Sequence, residues 1–174
     1  MVEIAKKKFS KYKFFTWDLE DRFPENKKYD VIVCKLVLMF VDDIQNVAKE
    51  FKKILNPKGV AVISVVHPIY WHKNYLLNSY KIESRPEFEV MDEGYYSKGK
   101  RIDKFIGGNK DLKMGFIHRT LSDYINPFIE AGLLLTLLDE PKVNEIFLES
   151  NPRFLDRLNI PMRLNFRVQN LSSF

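Results

Sequence analysis

Five residues lie at or just after the points where strands of an α/β protein would end, and chemistry is expected there. They are Asp18, Lys35, Leu36, His67 and Trp71. Ligands of doubly wound α/β sheets bind outside the carboxyl ends of the strands, so these positions predict a site. His67 is the candidate general base, because an unperturbed imidazole has a pKa of about 6.5. The structural alternatives are an aspartate that begins a loop and a strand-end histidine bonded to the backbone.

The residues from Tyr29 to Tyr70 would position this site, and their pattern predicts a β-α-β unit. Residues 31–34 and 60–66 are continuous apolar runs, as expected for strands buried on both faces of a parallel sheet. Between the runs, apolar residues recur at spacings of three and four, which defines one face of a helix. That face consists of Ile44, Val47, Ala48, Phe51, Ile54 and Leu55.

Local signals mark the two ends of this helix. Asp42 is the predicted N-cap, and Gln45 three residues later completes a capping box. Residues 56–59, with the sequence Asn-Pro-Lys-Gly, predict a turn into the second strand.

Outside this unit the elements are less regular. Residues 2–8 are typical of the end of a helix, and the aromatic-rich residues 12–17 predict a strand that ends at Asp18. From about residue 71 to 115 no sustained period is found, which predicts a lid or a binding insertion.

The last third of the chain predicts four further elements. A short strand at 116–119 leads to a helix over about 120–131, with Pro127 inside it and Gly132 ending it. A buried strand is predicted at 133–138 and a short helix within 144–159. Residues 162–169 alternate between polar and apolar side chains, which indicates a late antiparallel strand.

The composition indicates one globular domain over residues 1–174. Apolar residues make up 45% of the chain and charged residues 29%, the usual balance for a soluble protein. No apolar run approaches the roughly 20 residues that a membrane helix needs. Cys34 is the only cysteine, which excludes an intrachain disulfide and a cysteine-rich zinc site, and no other metal-binding pattern is found. The first residues, MVEIAKKKF, contain no apolar segment typical of a secretory signal, so we expect a cytoplasmic protein.

The net charge of +5 and the pI near 9.1 raise the alternative of a nucleic-acid-binding module. Basic residues cluster at 6–8, 27–28 and 98–101. The sequence has no zinc finger, no RRM-type aromatic signature and no basic helix with heptads. Lysines on a solvated surface are the simpler interpretation, and nucleic-acid binding is kept as the second alternative.

Two segments, YDVIVCKLVLMFVDD and EFKKILNPKGVAVISVVHP, contain a strand that begins with Tyr-Asp-Val-Ile, followed by a helix, a turn and a strand that ends in His-Pro. They resemble the second half of a class I S-adenosylmethionine-dependent methyltransferase. More narrowly, they are similar to the type-11 small-molecule group, in which an F/Y-D-x-V strand precedes a helix, an L-x-P-G-G turn and a strand ending near S-x-x-H-P. FIHRTLSDYINPFIEAGL is similar to the H-R-T-L segment of that group and the helix after it. The resemblance implies a partial Rossmann-like α/β sheet with flanking helices and an antiparallel last strand.

The resemblance also implies roles for individual residues. Asp18 and the N–H of Leu19 would hold the adenine of S-adenosylmethionine. Lys35 and Leu36 would lie at its methyl-donor end, and His67 would face the substrate. Methyl transfer needs mainly the alignment of two reactants, so a fixed catalytic triad is not required. The further substrate-binding candidates are Trp71, Tyr95, Tyr96, His118 and Arg119.

The chain departs from the family pattern in three ways. Lys35 stands where a small residue is usual and would place a cation near the cofactor's sulfonium. Met39 stands where many relatives have His. The G-x-G-x-G loop and the first two strands are not found, since no glycine has that spacing or place. We therefore expect weak or no cofactor binding and an open apolar sheet edge at residues 31–34.

Three functions are consistent with these features. The first is a methyltransferase-family protein acting on a small molecule, truncated or inactive in this form, so that enzymatic activity is left open. The second is a non-catalytic interaction subunit that pairs through the open sheet edge, as a homodimer or with a different chain. The third is the basic nucleic-acid-binding module. The open edge has one structural alternative: the strand predicted at 12–17 pairs directly with the strand that ends at Cys34, which gives a smaller sheet and covers the edge.

Overall fold

The computed structural model describes residues 1–71, 95–104, 113–152, 158 and 160–171. Its helices are α1 (Val2–Lys8), α2 (Ile44–Ile54), α3 (Leu121–Glu130) and α4 (Glu145–Ser150), with 3-10 turns at Leu38–Phe40 and Pro68–Trp71. Its strands are β1 (Tyr29–Lys35), β2 (Leu55–Val66), β3 (Gly99–Lys104), β4 (Lys113–His118), β5 (Leu133–Asp139) and β6 (Arg163–Asn170).

Four strands form one sheet in the order β1-β2-β6-β5. β1 and β2 run parallel and are connected through α2, whereas β6 is antiparallel to both of its neighbours. β3 and β4 pair antiparallel in a separate two-stranded sheet. The predicted α/β class, the β-α-β unit and the antiparallel last strand are confirmed, and β1 lies at an edge of the sheet.

The hydrophobic core lies between one face of this sheet and helices α2 and α3. Three aromatic rings join these elements, since the Phe51 and Phe128 centroids lie 6.0 Å apart and those of Phe128 and Phe166 lie 5.6 Å apart. All three side chains are fully buried. The other buried core residues of the strands are Cys34, Leu55, Ala61, Ile63, Val65, Leu133, Leu164 and Val168.

The opposite face of β1 and β2 is open in the part of the chain that the structure describes. Val31 is 56% exposed, Val33 71% and Val62 39%. The prediction that these strands are buried on both faces is therefore wrong for this face. The physical reason is that α2 and α3 pack on the same side of the sheet, which leaves the second side without a covering layer.

The strand predicted at residues 12–17 is not formed, and the segment runs beside β1 without pairing to it. Its aromatic side chains make the contact instead. The ring of Phe23 packs edge-on against Phe15 at 6.0 Å, Trp17 at 4.9 Å and Tyr29 at 5.7 Å. The aromatic residues that suggested a strand therefore form a side-chain cluster, and this segment does not cover the edge of β1.

The boundaries of α2 differ from the prediction at both ends. The N-cap is Asp43, whose Oδ1 accepts a hydrogen bond from the Asn46 N–H at 3.0 Å, and not Asp42. At the other end β2 begins at once, and the expected turn is an irregularity within the strand, where Lys58 has a φ of 64°. A Cβ at Gly59 would lie 2.9 Å from the Asn56 oxygen and 3.0 Å from the Tyr29 oxygen, so only glycine fits there.

The later elements largely follow the prediction. Thr120 is the N-cap of α3 and forms a capping box with Asp123, and the helix continues through Pro127. Gly132, with a φ of 81°, follows the helix as expected. The absence of regular structure expected between about 71 and 115 is wrong for Gly99–Lys104, which is strand β3, and for residues 113–115, which begin strand β4. Residues 72–94 and 105–112 lie outside the described residues.

We predict that Asp43→Ala lowers the free energy of unfolding by about 1 kcal/mol, because it removes the hydrogen bond that caps α2. Asp42→Ala is the matched control, since Asp42 makes an exposed ion pair with Lys100 that is expected to contribute less than about 1 kcal/mol. Urea unfolding of both variants measures the difference. Equal effects, or a larger effect for Asp42→Ala, would contradict the assignment of the cap.

Candidate functional site

The carboxyl ends of β1 and β2 meet at one end of the sheet because the two strands are parallel. The 3-10 turn Leu38–Phe40 follows β1 at this end and separates the candidate residues into two groups. The cofactor group comprises Asp18, Leu19, Lys35 and Leu36. The substrate group comprises His67, Trp71, Tyr95, Tyr96, His118 and Arg119.

The turn that begins at Asp18 is fixed against the start of α2. Asp18 Oδ1 accepts a hydrogen bond from the Glu20 N–H at 3.0 Å, which closes the turn. Glu20 Oε1 accepts from the Asp42 N–H at 2.7 Å, and the Glu20 carbonyl accepts from the Asn46 side-chain amide. The position of Asp18 and Leu19 therefore depends on contacts with a helix more than twenty residues later.

The end of β1 brings Leu36 to the same region. Its N–H donates to the Ser64 carbonyl at 2.7 Å, and its φ of 57° is in the left-handed region that non-glycine residues seldom adopt. Leu19, Cys34 and Val37 line one cavity, which places the Asp18 turn beside the end of β1. The Lys35 side chain is exposed. Of the cofactor group, Leu19 lines this cavity, and Asp18, Lys35 and Leu36 are each adjacent in sequence to a residue that lines it.

His67 is buried at the end of β2, and both of its ring nitrogens are bonded. Nδ1 accepts from the Ile69 N–H at 3.2 Å, so the ring proton is on Nε2, which lies 2.6 Å from Glu140 Oε1. Burial lowers the pKa of His67, and the nearby Glu140 carboxylate raises it by a smaller amount. The imidazole is therefore held neutral and would have to exchange the Ile69 hydrogen bond to accept a proton from a substrate.

Tyr95 and His118 form a second part of the substrate group. The His118 Nε2–H donates to the Tyr95 carbonyl at 2.9 Å, and the Tyr95 hydroxyl accepts from the Leu121 N–H at 2.8 Å. The Tyr96 ring packs edge-on against Tyr95 at 5.2 Å and is otherwise exposed. These contacts place residues 95 and 96 at the start of α3.

Arg119, which directly follows β4, contacts the turn between β1 and α2. Its guanidinium donates to the carbonyl oxygens of Val41 at 2.6 Å and Asp42 at 2.8 Å, and to that of Leu38 at 3.3 Å. All three bonds are internal to the protein. Arg119 therefore stabilises the turn that separates the two groups.

Space within the substrate group is small among the described residues. Met39, Pro68, His118, Arg119 and Tyr124 surround a cavity of about 10 Å³, which is close to the size needed for one water molecule. The backbone of Trp71 belongs to the 3-10 turn Pro68–Trp71, while its side chain lies outside what the structure describes.

The site also contains residues that the sequence analysis did not select. Glu140 bonds His67 from 73 residues away, and no local pattern could have indicated that pair. Two ion pairs attach the stretch before and within β3 to this end of the molecule, Lys98 with Asp123 at 2.7 Å and Lys100 with Asp42 at 3.0 Å. In the sequence, the basic residues at 98–101 were a weak signal that this stretch pairs with carboxylates elsewhere in the chain.

Among the described residues, no group of three or more His, Cys, Asp or Glu side chains could hold a metal ion. Within the same residues, none of the helices has the length and apolar content that a membrane span requires.

Comparison with known proteins identifies the family that the first part of the chain resembles. Residues 1–63 match the sequence model of the family described as a methyltransferase domain. No curated protein matches the chain. The type-11 methyltransferase resemblance drawn from the sequence is confirmed by this match and by the structural similarities that follow.

Solved structures show the same fold over most of the chain. A candidate S-adenosylmethionine-dependent methyltransferase from Listeria monocytogenes is 22% identical with a TM-score of 0.68, over 88% of this chain and 67% of its own. A candidate methyltransferase from Haloferax volcanii, solved with the methyltransferase activator Trm112, is 14% identical with a TM-score of 0.59, over 99% and 68%. The N-methyltransferase NodS from Bradyrhizobium japonicum, solved with S-adenosyl-L-homocysteine, is 12% identical with a TM-score of 0.52, over 98% and 62%. The chain therefore has a methyltransferase fold and spans about two thirds of the length of these proteins.

We predict that the His67 ring titrates below its ordinary pKa of about 6.5, because burial outweighs the carboxylate. Glu140→Gln should lower the pKa further, since it removes the charge that favours the protonated ring. NMR titration of the histidine Cε1–H signals measures both pKa values, and the His67→Gln variant assigns the His67 signal.

The lowered pKa of His67 also predicts how stability depends on pH. As the pH falls below about 6.5, the unfolded chain binds a proton at His67 before the folded chain does, so the free energy of unfolding should decrease. The decrease should be smaller in His67→Gln, which lacks this group. A His67 pKa above 6.5 would show that the ion pair dominates.

We predict that Arg119→Met lowers the free energy of unfolding by about 1.5–3 kcal/mol, since three carbonyl oxygens lose a charged donor. Arg119→Lys should recover only part of this loss, because an ammonium lacks the guanidinium's fork of donors. Arg167→Met, at an exposed residue bonded to Thr136, serves as the control, with an expected change within about 0.5 kcal/mol. Urea unfolding of Arg119→Met that matches the parent would instead indicate that Arg119 is available to bind a ligand.

Proposed function

We propose that this chain is a methyltransferase-family protein that recognises the adenine end of S-adenosylmethionine and acts on a small molecule. The observation that supports this is a free acceptor and a free donor side by side. Within the described residues, Asp18 Oδ2 and the Leu19 N–H make no hydrogen bond, while the turn that holds them is fixed. Adenine presents an amine donor next to a ring-nitrogen acceptor, so the pair matches its edge.

The fit extends to one end of the cofactor only. Lys35 carries a cation where the resemblance places the sulfonium. The glycines that the structure describes lie in β2, β3, β4 and the turn after α3, and none of them is at the carboxyl end of β1. The chain therefore has no backbone cradle for the ribose and methionine parts in its described residues, and we expect weak cofactor binding by this chain alone.

The second part of the proposal, action on a small molecule, concerns the substrate group. His67, Trp71, Tyr95, Tyr96, His118 and Arg119 would contact the substrate once a pocket larger than the present one opens. His67 would act as the base after releasing the Ile69 N–H. The single, buried cysteine is compatible with the reducing cytoplasm, where we place the protein.

A second candidate function is an interaction subunit that pairs through the open edge of β1, with a different chain or as a homodimer. The free edge favours it, because a sheet edge with exposed Val31 and Val33 is a template for another strand. The Haloferax volcanii relative is itself bound to a partner protein. By contrast, Lys98 and Lys100 of the basic run are bonded to carboxylates, so the structure adds no support for nucleic-acid binding.

We predict that adenosine and S-adenosylhomocysteine bind the purified chain with affinities within about threefold of each other, because only the adenine end finds partners. The dissociation constant should be near the millimolar range, which NMR titration of the protein amides can measure. Asp18→Ala should abolish the shifts, whereas Asp21→Ala, in the same turn, should preserve them.

Other results would redirect the proposal. Micromolar binding of S-adenosylhomocysteine with much weaker adenosine binding would show a complete cofactor site. Binding that is equal in the two variants would show that Asp18 does not contact the adenine. No binding of either compound would favour the interaction subunit.

A further inference from the structure

Residues 95–98 form a short strap beside the start of α3, and none of them is buried. Tyr95 and Ser97 are half-buried, Tyr96 is 83% exposed, and the Lys98 side chain is 57% exposed. The strap leads directly into β3 at Gly99. It therefore adds no residue to the hydrophobic core described above.

The strap covers a part of the substrate group that has almost no free space. The Tyr95 ring lies edge-on to His118, with centroids 6.3 Å apart, and the Tyr95 carbonyl accepts from the His118 Nε2–H at 2.9 Å. His118 is 3% exposed and lines the cavity of about 10 Å³ together with Met39 and Pro68. Since that cavity holds no more than about one water molecule, some element around it must move before a substrate can reach these residues.

The other elements around this cavity belong to the packed part of the fold. Val66 ends β2, which is paired along both edges, and the turn at residues 38–40 is held by the guanidinium of Arg119. Phe116 of β4 and Tyr124 of α3 are buried. Moving any of these would open a void in packed structure, which is costly. Lifting the strap would break surface contacts only.

Two contacts fasten the strap to the first turn of α3. Lys98 Nζ lies 2.7 Å from Asp123 Oδ1, and the Tyr95 hydroxyl accepts from the Leu121 N–H at 2.8 Å. Exposed ion pairs contribute little to stability. Asp123 also accepts from the Thr120 N–H and hydroxyl through Oδ2, so its carboxylate keeps partners when Lys98 leaves. Release of the strap is therefore inexpensive on the side of α3.

Gly99 provides a hinge at the end of the strap. Its φ is 134°, a conformation that L side chains rarely adopt, and among the described residues a Cβ there would meet no atom within 4 Å. Glycine is therefore required by the backbone and not by lack of space. Beyond it, β3 is paired with β4 along its length, and Lys100 pairs with Asp42 at 3.0 Å. The chain is thus anchored after Gly99 and only latched before it.

We propose that the strap opens and closes over the substrate group, turning about Gly99, with the Lys98–Asp123 ion pair as its latch. When closed, it covers His118 and occupies the Leu121 N–H. When open, it exposes His118 and gives a substrate access to the small cavity. The proposal rests on the proposed substrate group and concerns how that group is reached.

Hydrogen exchange of the Leu121 amide, followed by NMR on the full chain, measures the opening. Leu121 is the first residue of α3, so its N–H has no acceptor within the helix and is protected by the Tyr95 hydroxyl. Raising NaCl from about 0.05 M to about 0.5 M should screen the latch and accelerate this exchange about threefold. The Tyr124 amide, which donates to the Thr120 carbonyl in the same helix, is the internal control and should not change.

Two lysine variants separate the latch from the anchor. Lys98→Gln should accelerate Leu121 exchange about threefold at low salt and remove its salt dependence. Lys100→Gln removes the same charge beyond the hinge and should change the rate less than about 1.5-fold. Loss of a positive charge by itself repels hydroxide less well paired to the amide and slows base-catalysed exchange, so acceleration in Lys98→Gln reports opening. Both lysines are exposed, so both variants should fold, which circular dichroism verifies.

Three results would overturn the proposal. These are Leu121 exchange in Lys98→Gln equal to that of the parent, equal acceleration in the two variants, and Tyr124 exchange that accelerates together with Leu121, which would mean that the whole helix opens. The measurement contains no cofactor or substrate. A strap that opens in a chain without adenosine binding would contradict the methyltransferase function alone, and a fixed strap in a chain that binds adenosine would contradict the strap alone.

Discussion

Strand β2 has hydrogen-bonded neighbours along both edges, and the candidate site depends on this arrangement. Its parallel pairing with β1 brings two carboxyl ends to the same place, where the Leu36 N–H bonds the Ser64 carbonyl. Its antiparallel pairing with β6 places the His67 N–H 3.2 Å from the Met162 carbonyl. One strand thus positions Leu36 of the cofactor group and His67 of the substrate group. A shift of its register by one residue would move both residues and would expose the buried side chains of its core face.

The sheet is covered unevenly, and this determines how the rest of the chain is held. On one face Phe51, Phe128 and Phe166 join two helices to a strand and exclude water. On the other face and at the β1 edge, the described residues supply no such layer. Residues 13–19 are therefore attached by aromatic rings and by the Lys13–Glu25 ion pair near the amino end of β1, which leaves a cavity beside the remainder. The apolar surface that a second layer would normally bury is the surface that the proposed interaction through the edge of β1 uses.

The local sequence pattern predicted most helices and strands, whereas contacts between distant residues determined the helix cap and which segments pair as strands. The β-α-β unit was predictable because the period of its apolar residues is a property of neighbouring positions. The choice between Asp42 and Asp43 as the cap was not, since the two carboxylates are adjacent and the Asp42 N–H is bonded by Glu20 from an earlier turn. Residues 12–17 have the composition of a strand but no partner strand.

In the candidate site too, some features follow from local sequence and others depend on contacts between distant residues. Asp18, Leu19, Lys35 and Leu36 were selected by their place at strand ends and by family resemblance, and of these Leu19 lines the cavity beside β1. The sequence could not indicate that Glu140 bonds His67 or that Arg119 bonds three carbonyls of a turn, because these contacts join residues more than 70 positions apart. Burial on both faces was expected from two continuous apolar runs, yet such runs show only that a strand can be covered, and not that a covering layer is present.

The cavity beside β1 and the proposed adenine contacts are physically connected. Leu19 lines the cavity and is adjacent to Asp18, while Val37 lines it next to Leu36. A partner strand paired at the open edge would pack near Leu19, next to the free acceptor and donor of the proposed adenine contact. Because Glu20 already fixes that turn, an effect of the partner on adenine binding would act through contacts with Leu19, and linkage requires that adenine then affect partner binding by the same factor. The enzyme and interaction hypotheses are therefore compatible, because the edge proposed for the partner and the turn proposed for adenine lie side by side without using the same groups.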